Sequence, residues 1–151
     1  MSNHNIQKIG IIISYVIHPM VISFVTFLYL IYYSNILIEY KNLIFILSFL
    51  FSTILPMISF YILKKNSFIT DLDASKKEER LLPMAFGSLF FLMGFFTLKT
   101  LNTHLVIQGI MFCGMINVIL AWLITNYWKI SIHAITLSSS ITIFWISGYQ
   151  L

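Results

Sequence analysis

Five apolar stretches, separated by short polar segments, make up most of this chain. They cover residues 10–38, 43–63, about 82–98, about 104–125 and about 130–148. A helix needs about 20 apolar residues to cross the hydrocarbon core of a bilayer, and the stretches are close to that length. The pattern therefore predicts an all-α integral membrane protein, a helical bundle of about five transmembrane helices. The sequence has no internal repeat and no low-complexity linker, so residues 1–151 are interpreted as a single membrane domain.

The composition agrees with this prediction. Hydrophobic residues make up 59% of the chain and charged residues 9%, whereas a soluble domain carries about 25% charged residues. The formal net charge of +4 comes from basic residues in short segments between apolar stretches. That distribution indicates membrane topology rather than nucleic-acid binding. Cys113 is the only cysteine, which excludes an intrachain disulfide.

Three prolines lie where apolar stretches begin or bend. His18-Pro19 interrupts the first stretch, so its opening turn is expected to form a separate interfacial segment. Pro56 predicts a kink in the second stretch, and the third is expected to begin near Pro83. The first stretch has a weakly charged start and no small-residue cleavage site, which favours a retained signal anchor.

Cations are divided unevenly between the two sides of the predicted bundle. With five spans, the N-terminal tail, the 64–81 loop and the 126–129 turn share one face, which carries seven Lys and Arg residues against two on the other. The positive-inside rule places that face in the cytoplasm. Four of the seven are candidates for binding a ligand, and without them the count is three against two. The orientation is therefore left open.

Two polar segments, residues 71–83 and residues 129–134, fall on the shared face. The first holds seven of the fourteen charged residues, and charge beside a bilayer is expensive enough to mark a functional site. If helical, it presents Lys77 and Arg80 to the same volume. Arginine binds phosphate oxygens in a bidentate manner, and lysine adds a compact charge.

The second polar segment begins the last apolar stretch. Ser131 can cap the helix, and the free backbone N–H groups at a helix start favour an anion. His133 could act as a general acid. Together the two segments predict an anion site of the kind that phosphoryl transfer uses. The structural alternative is an ordinary charged loop, in which Glu78 and Glu79 balance the cations, and a histidine that only makes structural hydrogen bonds.

The two segments carry a family resemblance. Lys77-Glu78-Glu79-Arg80-Leu81-Leu82-Pro83 and Lys129-Ile130-Ser131-Ile132-His133-Ala134 resemble motifs of the membrane-embedded type 2 phosphatidic acid phosphatase family, which is related to haloperoxidases. The likeness is greatest to a small bacterial branch whose loop reads Arg-Glu-Glu-Arg-x-x-Pro, and His18-Pro19 fits that branch too. It extends over roughly residues 15–148. The resemblance implies a protein of the bacterial inner membrane.

The resemblance also implies residue roles. Lys77, Arg80 and Ser131 would bind the phosphate of a lipid or polyprenyl phosphate, and His133 would be the catalytic acid. The family's third motif supplies an arginine and a nucleophilic histidine that forms a phosphohistidine, and neither a metal nor another cofactor is needed.

The chain departs from the family pattern at three points. Ile132 stands in place of the glycine in the second motif, and the first motif reads Arg-x-x-Pro where the wider family has Arg-Pro. No arginine follows Arg80 and no histidine follows His133, so the third motif is missing. We therefore expect either a truncated or a degenerate member, and whether the chain is an enzyme is left open.

Two other functions fit parts of the sequence. A non-catalytic membrane protein could bind anionic lipid headgroups through the basic loop, or partner helices through the fourth stretch. There, residues four apart form a stripe of small or weakly polar side chains: Gly109, Cys113, Asn117, Ala121 and Thr125. An intramembrane prenyltransferase would hold magnesium diphosphate between two acidic motifs, but Asp71-x-Asp73 has no second copy. On the last stretch, a row of polar residues is expected to face the bundle interior: His133, Thr136, Ser140 and Ser147.

Overall fold

The computed structural model describes residue 8, residues 16–70, 76–128 and 130–148, with no description of the Lys77 side chain. Within those ranges the chain is an all-α helical bundle, as the sequence predicts, and strands are absent from them. Five helices lie in the described part of the chain: α1 (Pro19–Tyr32), α2 (Lys41–Lys65), α3 (Lys77–Thr100), α4 (Leu105–Thr125) and α5 (Ile132–Gly148).

Three of the five helices, α2, α3 and α4, are long and apolar enough to cross a membrane. Helices α1 and α5 are apolar but shorter, with 14 and 17 residues. At a rise of about 1.5 Å per residue they extend about 21 and 26 Å, against a hydrocarbon core of about 30 Å. The structure thus supports a membrane protein, and the number of spans stays a prediction.

Helix α1 begins at the dipeptide where the sequence predicted an interruption. His18 has an extended backbone, and its Nδ1 accepts a hydrogen bond from the amide of Met20 at 3.3 Å. Pro19 occupies the first helical position, where its fixed φ suits the helix. A backbone N–H at this position has no partner within the helix, so proline loses nothing by lacking one. His18 therefore acts as the N-cap of α1.

Helix α2 contains a π-helical turn, Leu50–Ile54, directly before Pro56. A proline inside an α-helix cannot donate to the carbonyl four residues earlier and clashes with it. Ser52, four positions before Pro56, lies within the π turn. The widened turn is therefore located where the clash would occur. The local irregularity that Pro56 predicted is thus built as a π turn.

Helix α3 corrects the expectation that the third span begins near Pro83. The helix begins six residues earlier, at Lys77, and Pro83 lies inside it. Pro83 has no N–H to donate to the carbonyl of Glu79, four residues earlier. Because that carbonyl lies at the polar end of the helix, the helix continues through Pro83 with little loss of stability. As a result, Arg80 belongs to the first turn of a long helix instead of to a loop.

The helices pack with their main apolar core toward the end of the bundle opposite the polar segments. Helices α3 and α4 form an antiparallel pair, and Gly94 of α3 lets Phe51 of the π turn approach closely. The core combines residues from α1, α2, α3 and α4: Phe27, Leu30, Ile31, Ile44, Phe51, Leu98, Ile107 and Met111. The opposite end, where the polar segments lie, carries the candidate site.

Helices α1 and α5 lie side by side and run in the same direction. Contacts at matched heights show this: Thr26 donates to Ser140 at 2.9 Å in a buried hydrogen bond, and the rings of Tyr29 and Phe144 meet at 5.1 Å. Ser140 and Ser147 are buried, as the polar row on α5 predicted. Because the two helices are parallel, their N-termini lie at the same end of the bundle.

Candidate functional site

Three helix N-termini, those of α1, α3 and α5, converge at one end of the bundle. The imidazole rings of His18 and His133 lie 5.7 Å apart and nearly perpendicular, which joins the starts of α1 and α5. Nη1 of Arg80 donates a hydrogen bond of 3.0 Å to the carbonyl of Ile130, which joins the starts of α3 and α5. Helix N-termini carry partial positive charge and free N–H groups, so their convergence creates a favourable place for an anion.

Arg80 provides a full positive charge at this place. It is part-buried in the first turn of α3. Its guanidinium bonds the carbonyl of Ile130, which is the residue before Ser131. An arginine presents its N–H donors in a rigid fork that matches phosphate geometry. The bond to the Ile130 carbonyl holds the guanidinium at the start of α5.

Ser131 has the capping role that its position predicted. Its Oγ accepts a hydrogen bond from the amide of Ala134 at 3.3 Å, and the side chain is exposed. The hydroxyl hydrogen of a serine that accepts in this way can still be donated. Ser131 therefore shapes the start of α5 and offers a donor at the surface of the site.

His133 follows Ser131 by two residues, in the first turn of α5, and is part-buried. Its Nε2 is buried and has no hydrogen-bond partner among the described residues. Leaving a buried polar atom unsatisfied costs about 1–3 kcal/mol. A bound oxygen that paired with Nε2 would recover that energy, so this atom marks where the site favours a ligand.

His18 is the site residue to which the sequence assigned no role beyond the interruption at His18-Pro19. Its Nδ1 accepts the Met20 amide, so the neutral ring carries its proton on Nε2. The available signal was the His-Pro pair at a helix start on the same face as both polar segments. His104 makes the same cap at the start of α4, where its Nδ1 accepts from Val106 at 3.3 Å, but on the opposite face of the bundle.

Glu79 is engaged with a neighbouring loop. Its carboxylate accepts the amide of Thr70 at 2.7 Å and the Thr70 hydroxyl at 2.9 Å, and it pairs with Lys76 at 3.2 Å. These contacts fasten the segment after α2 to the first turn of α3. The sequence alternative in which Glu79 balances a cation describes its pair with Lys76, whose side chain is exposed.

Other residues that the sequence singled out are only partly covered. The side chain of Lys77, and all of Asp71, Asp73 and Lys129, lie outside the described residues. Among the residues that are described, His, Cys, Asp and Glu form no group of three that could hold a metal ion.

The small-residue stripe on α4 divides into two parts. Asn117 donates to Ser139 of α5 at 3.0 Å, and Ala121 and Thr125 are buried. By contrast, Cys113 is exposed, and a Cβ added to Gly109 would meet nothing within 4 Å. One part is therefore a seam within this chain, and a helix-packing partner at Gly109 and Cys113 stays a prediction.

Comparisons with protein-family models, with curated proteins and with solved structures found no match for this chain. The functional argument therefore depends on the site itself. It brings a guanidinium, a serine hydroxyl, two imidazoles and three helix N-termini to one end of an apolar bundle. Chemically, such a set can bind a phosphate group and protonate an oxygen of it.

Proposed function

We propose that this protein is a multi-pass membrane protein that binds the phosphate headgroup of a lipid or polyprenyl phosphate at the convergence of α1, α3 and α5. The observation that carries the proposal is that three separate segments of the chain meet: the ring of His18 contacts that of His133, and Arg80 bonds the carbonyl of Ile130, three residues before His133. Arg80 and Ser131 would bind phosphate oxygens, together with Lys77 from the first turn of α3. His133 would bind one oxygen through its unpaired Nε2.

The surroundings of the site favour a lipid over a soluble phosphate. The helices around it are apolar, and exposed aromatic residues lie near the same end of the bundle: Tyr61, Phe68, Tyr127 and Trp128. Tyr and Trp are typical of the bilayer interface, where their rings span apolar and polar surroundings. Lys64 and Lys65 are exposed at the same end and would attract anionic headgroups. We place the protein in a cell membrane of the bacterial type on the resemblance alone.

Binding of short-chain phosphatidate to the purified protein in detergent tests the proposal. Neutralising a phosphate-binding arginine removes a charge-assisted bond of about 1.5–3 kcal/mol, which is roughly a ten- to hundredfold loss of affinity. Arg80→Ala and His133→Ala should therefore weaken binding. Lys41→Ala removes a cation at the start of α2, on the opposite face, and should leave affinity unchanged.

Inorganic phosphate serves as the second ligand in the same assay. Tighter binding of phosphatidate than of phosphate supports a lipid ligand, whereas equal affinity means that the site recognises the phosphate group alone. Equal affinity of all four proteins for phosphatidate would mean that Arg80 and His133 have structural roles only.

Hydrolysis of the bound phosphate is the second candidate function. The contact between His18 and His133 favours it, because phosphoryl transfer through a phosphohistidine needs one histidine as nucleophile and one as acid. The cap on α1 opposes it, because a neutral His18 whose Nδ1 accepts the Met20 amide carries its proton on Nε2. Neither nitrogen then offers a free lone pair, so we favour binding over turnover.

A further inference from the structure

We propose that Thr125, in the last turn of α4, is a further phosphate-binding residue, whose buried hydroxyl donates to an oxygen of the ligand at the level of Arg80. This inference rests on the proposed function, since it concerns the same site. The sequence placed Thr125 only in the stripe of small or weakly polar residues on α4.

The hydroxyl of Thr125 is buried and unpaired. The residue is 1% exposed, and its Oγ1 has no hydrogen-bond partner among the described residues. A threonine inside a helix ordinarily donates to the carbonyl four residues earlier. The described helices show this bond, at 2.8–3.0 Å, for Thr26, Thr97, Thr136 and Thr142. Thr125 makes no such bond to the carbonyl of Ala121, so its hydroxyl keeps a proton to donate.

The alignment of α3 and α4 sets Thr125 opposite Arg80. Close approaches between the two helices pair Gly87 with Val118, Phe91 with Gly114, and Gly94 with Met111. From one pair to the next, the residue on α3 advances by three or four and the residue on α4 goes back by the same number, which keeps both on one face. Continued toward the site, the same steps pair Met84 with Ala121, both of them buried, and then Arg80 with Thr125.

Thr125 and His133 hold their unpaired atoms at the same end of the bundle. Thr125 lies in the last turn of α4 and His133 in the first turn of α5, and the bond from Asn117 to Ser139 holds these two helices together. Because Oγ1 of Thr125 and Nε2 of His133 are both hidden from solvent, a ligand has to enter between the ends of α3, α4 and α5 to reach them. A phosphate group has several oxygens, so it can pair with both atoms.

Thr125→Val separates binding from structure, because valine has nearly the shape of threonine but no hydroxyl. Without a ligand, the variant should be at least as stable as the wild type, since it removes an unpaired buried group. It should bind short-chain phosphatidate about two- to tenfold more weakly, which is the share of one neutral hydrogen bond. A hydroxyl with a purely structural role would give the reverse: lower stability and unchanged affinity.

The experiment is calorimetric titration of the full chain in detergent with short-chain phosphatidate, together with unfolding followed by circular dichroism. Thr125→Ser keeps the hydroxyl and should bind like the wild type. Thr97→Val is the matched control, because it removes a hydroxyl that donates to the Met93 carbonyl at the far end of α3, and its affinity should be unchanged.

The outcomes separate this inference from the proposed function. If the wild type binds and Arg80→Ala weakens binding, but Thr125→Val binds as tightly as the wild type, the inference is overturned and the proposed function stands. Thr125→Val that unfolds more easily or fails to fold overturns the inference as well, and so does Thr125→Ser that binds as weakly as Thr125→Val. Absence of phosphatidate binding by the wild type overturns both.

Discussion

The guanidinium of Arg80 and the carbonyl of Ile130 are joined by a 3.0 Å hydrogen bond, although 50 residues separate them in the chain. The bond ties the first turn of α3 to the residue that precedes Ser131. It follows that the two polar segments lie at the same end of the bundle, and that the chain between them runs to the far end through α3 and returns through α4. The same hydrogen bond predicts that the two polar segments lie on one side of the membrane.

Single cysteines at positions 77, 129 and 99 should report this sidedness. In a Cys113→Ala background, an impermeant thiol reagent applied to sealed vesicles should label positions 77 and 129 to the same extent and position 99 differently. The reason is that Lys99 is in the last turn of α3, about 33 Å along the helix axis from its first residue. Unequal labelling of 77 and 129 would contradict both the topology and the site.

The chain as given should show negligible phosphatase activity toward phosphatidate or polyprenyl diphosphate. A covalent mechanism needs an activated nucleophile at the phosphorus, His133 is proposed as the acid, and the cap of α1 leaves His18 with its proton on Nε2. Loss of a nucleophile usually removes several orders of magnitude of rate. Release of inorganic phosphate measures this.

A fusion provides the positive control for activity. Appending a further span that carries Arg and His, taken from a member of the phosphatase family that the two motifs resemble, should be required for turnover. Robust turnover by the chain as given that His133→Ala abolishes would instead show that it holds a complete catalytic set.

Gly94→Ala should destabilise the bundle. A Cβ at this position would lie 2.8 Å from Cβ of Phe51 and 3.2 Å from the methyl group of Met111. The Phe51 atom is next to the backbone of the π turn and cannot move independently, so overpacking by about 1–3 kcal/mol is expected. Gly109→Ala is the matched control, because its Cβ would meet open space and alanine favours a helix. Unfolding in a denaturing detergent, followed by circular dichroism, should rank Gly109→Ala at or above the wild type and Gly94→Ala below it.

The buried hydrogen bond between Thr26 and Ser140 should contribute measurably to the packing of α1 on α5. Interhelical hydrogen bonds in membrane proteins average about 0.6 kcal/mol and reach about 1.7 kcal/mol. In a double-mutant cycle, Thr26→Val and Ser140→Ala should each lower the free energy of unfolding, and the pair together should lower it by less than their sum. Strict additivity would mean that the bond contributes nothing to stability.

The sequence predicted the bundle and the position of the two polar segments, because both depend on run lengths. Hydrophobic runs fix where helices lie, and an even number of crossings between Arg80 and Ser131 puts both on one face. The packing of α1 beside α5 could not be derived in this way. It depends on which lateral faces of distant helices meet. Nothing in the sequence shows that Thr26 pairs with Ser140 or that Tyr29 packs on Phe144.

Local rules also misplaced one boundary. The apolar run of residues 82–98 predicts a helix that begins near Pro83, but the polar residues from Lys77 to Arg80 already form its first turn. Charged residues carry no apolar periodicity, so the hydrophobic pattern could not show that they are helical. This turn holds Arg80, so the sequence could state the helical placement of Arg80 only as a condition.

The π turn Leu50–Ile54 has a consequence for how α2 should be aligned and engineered. A π turn holds one residue more than an α turn, and one residue corresponds to about 100° of rotation around a helix axis. The buried faces before and after the turn are therefore offset around the helix axis. Ile44 and Ser48 are buried before the turn, and Leu63 is buried after it. Deleting one residue within the π turn would leave the residues after it on their present faces but would expose Pro56 to the clash with the carbonyl four residues earlier, whereas a deletion elsewhere in α2 would turn the residues beyond it by about 100°.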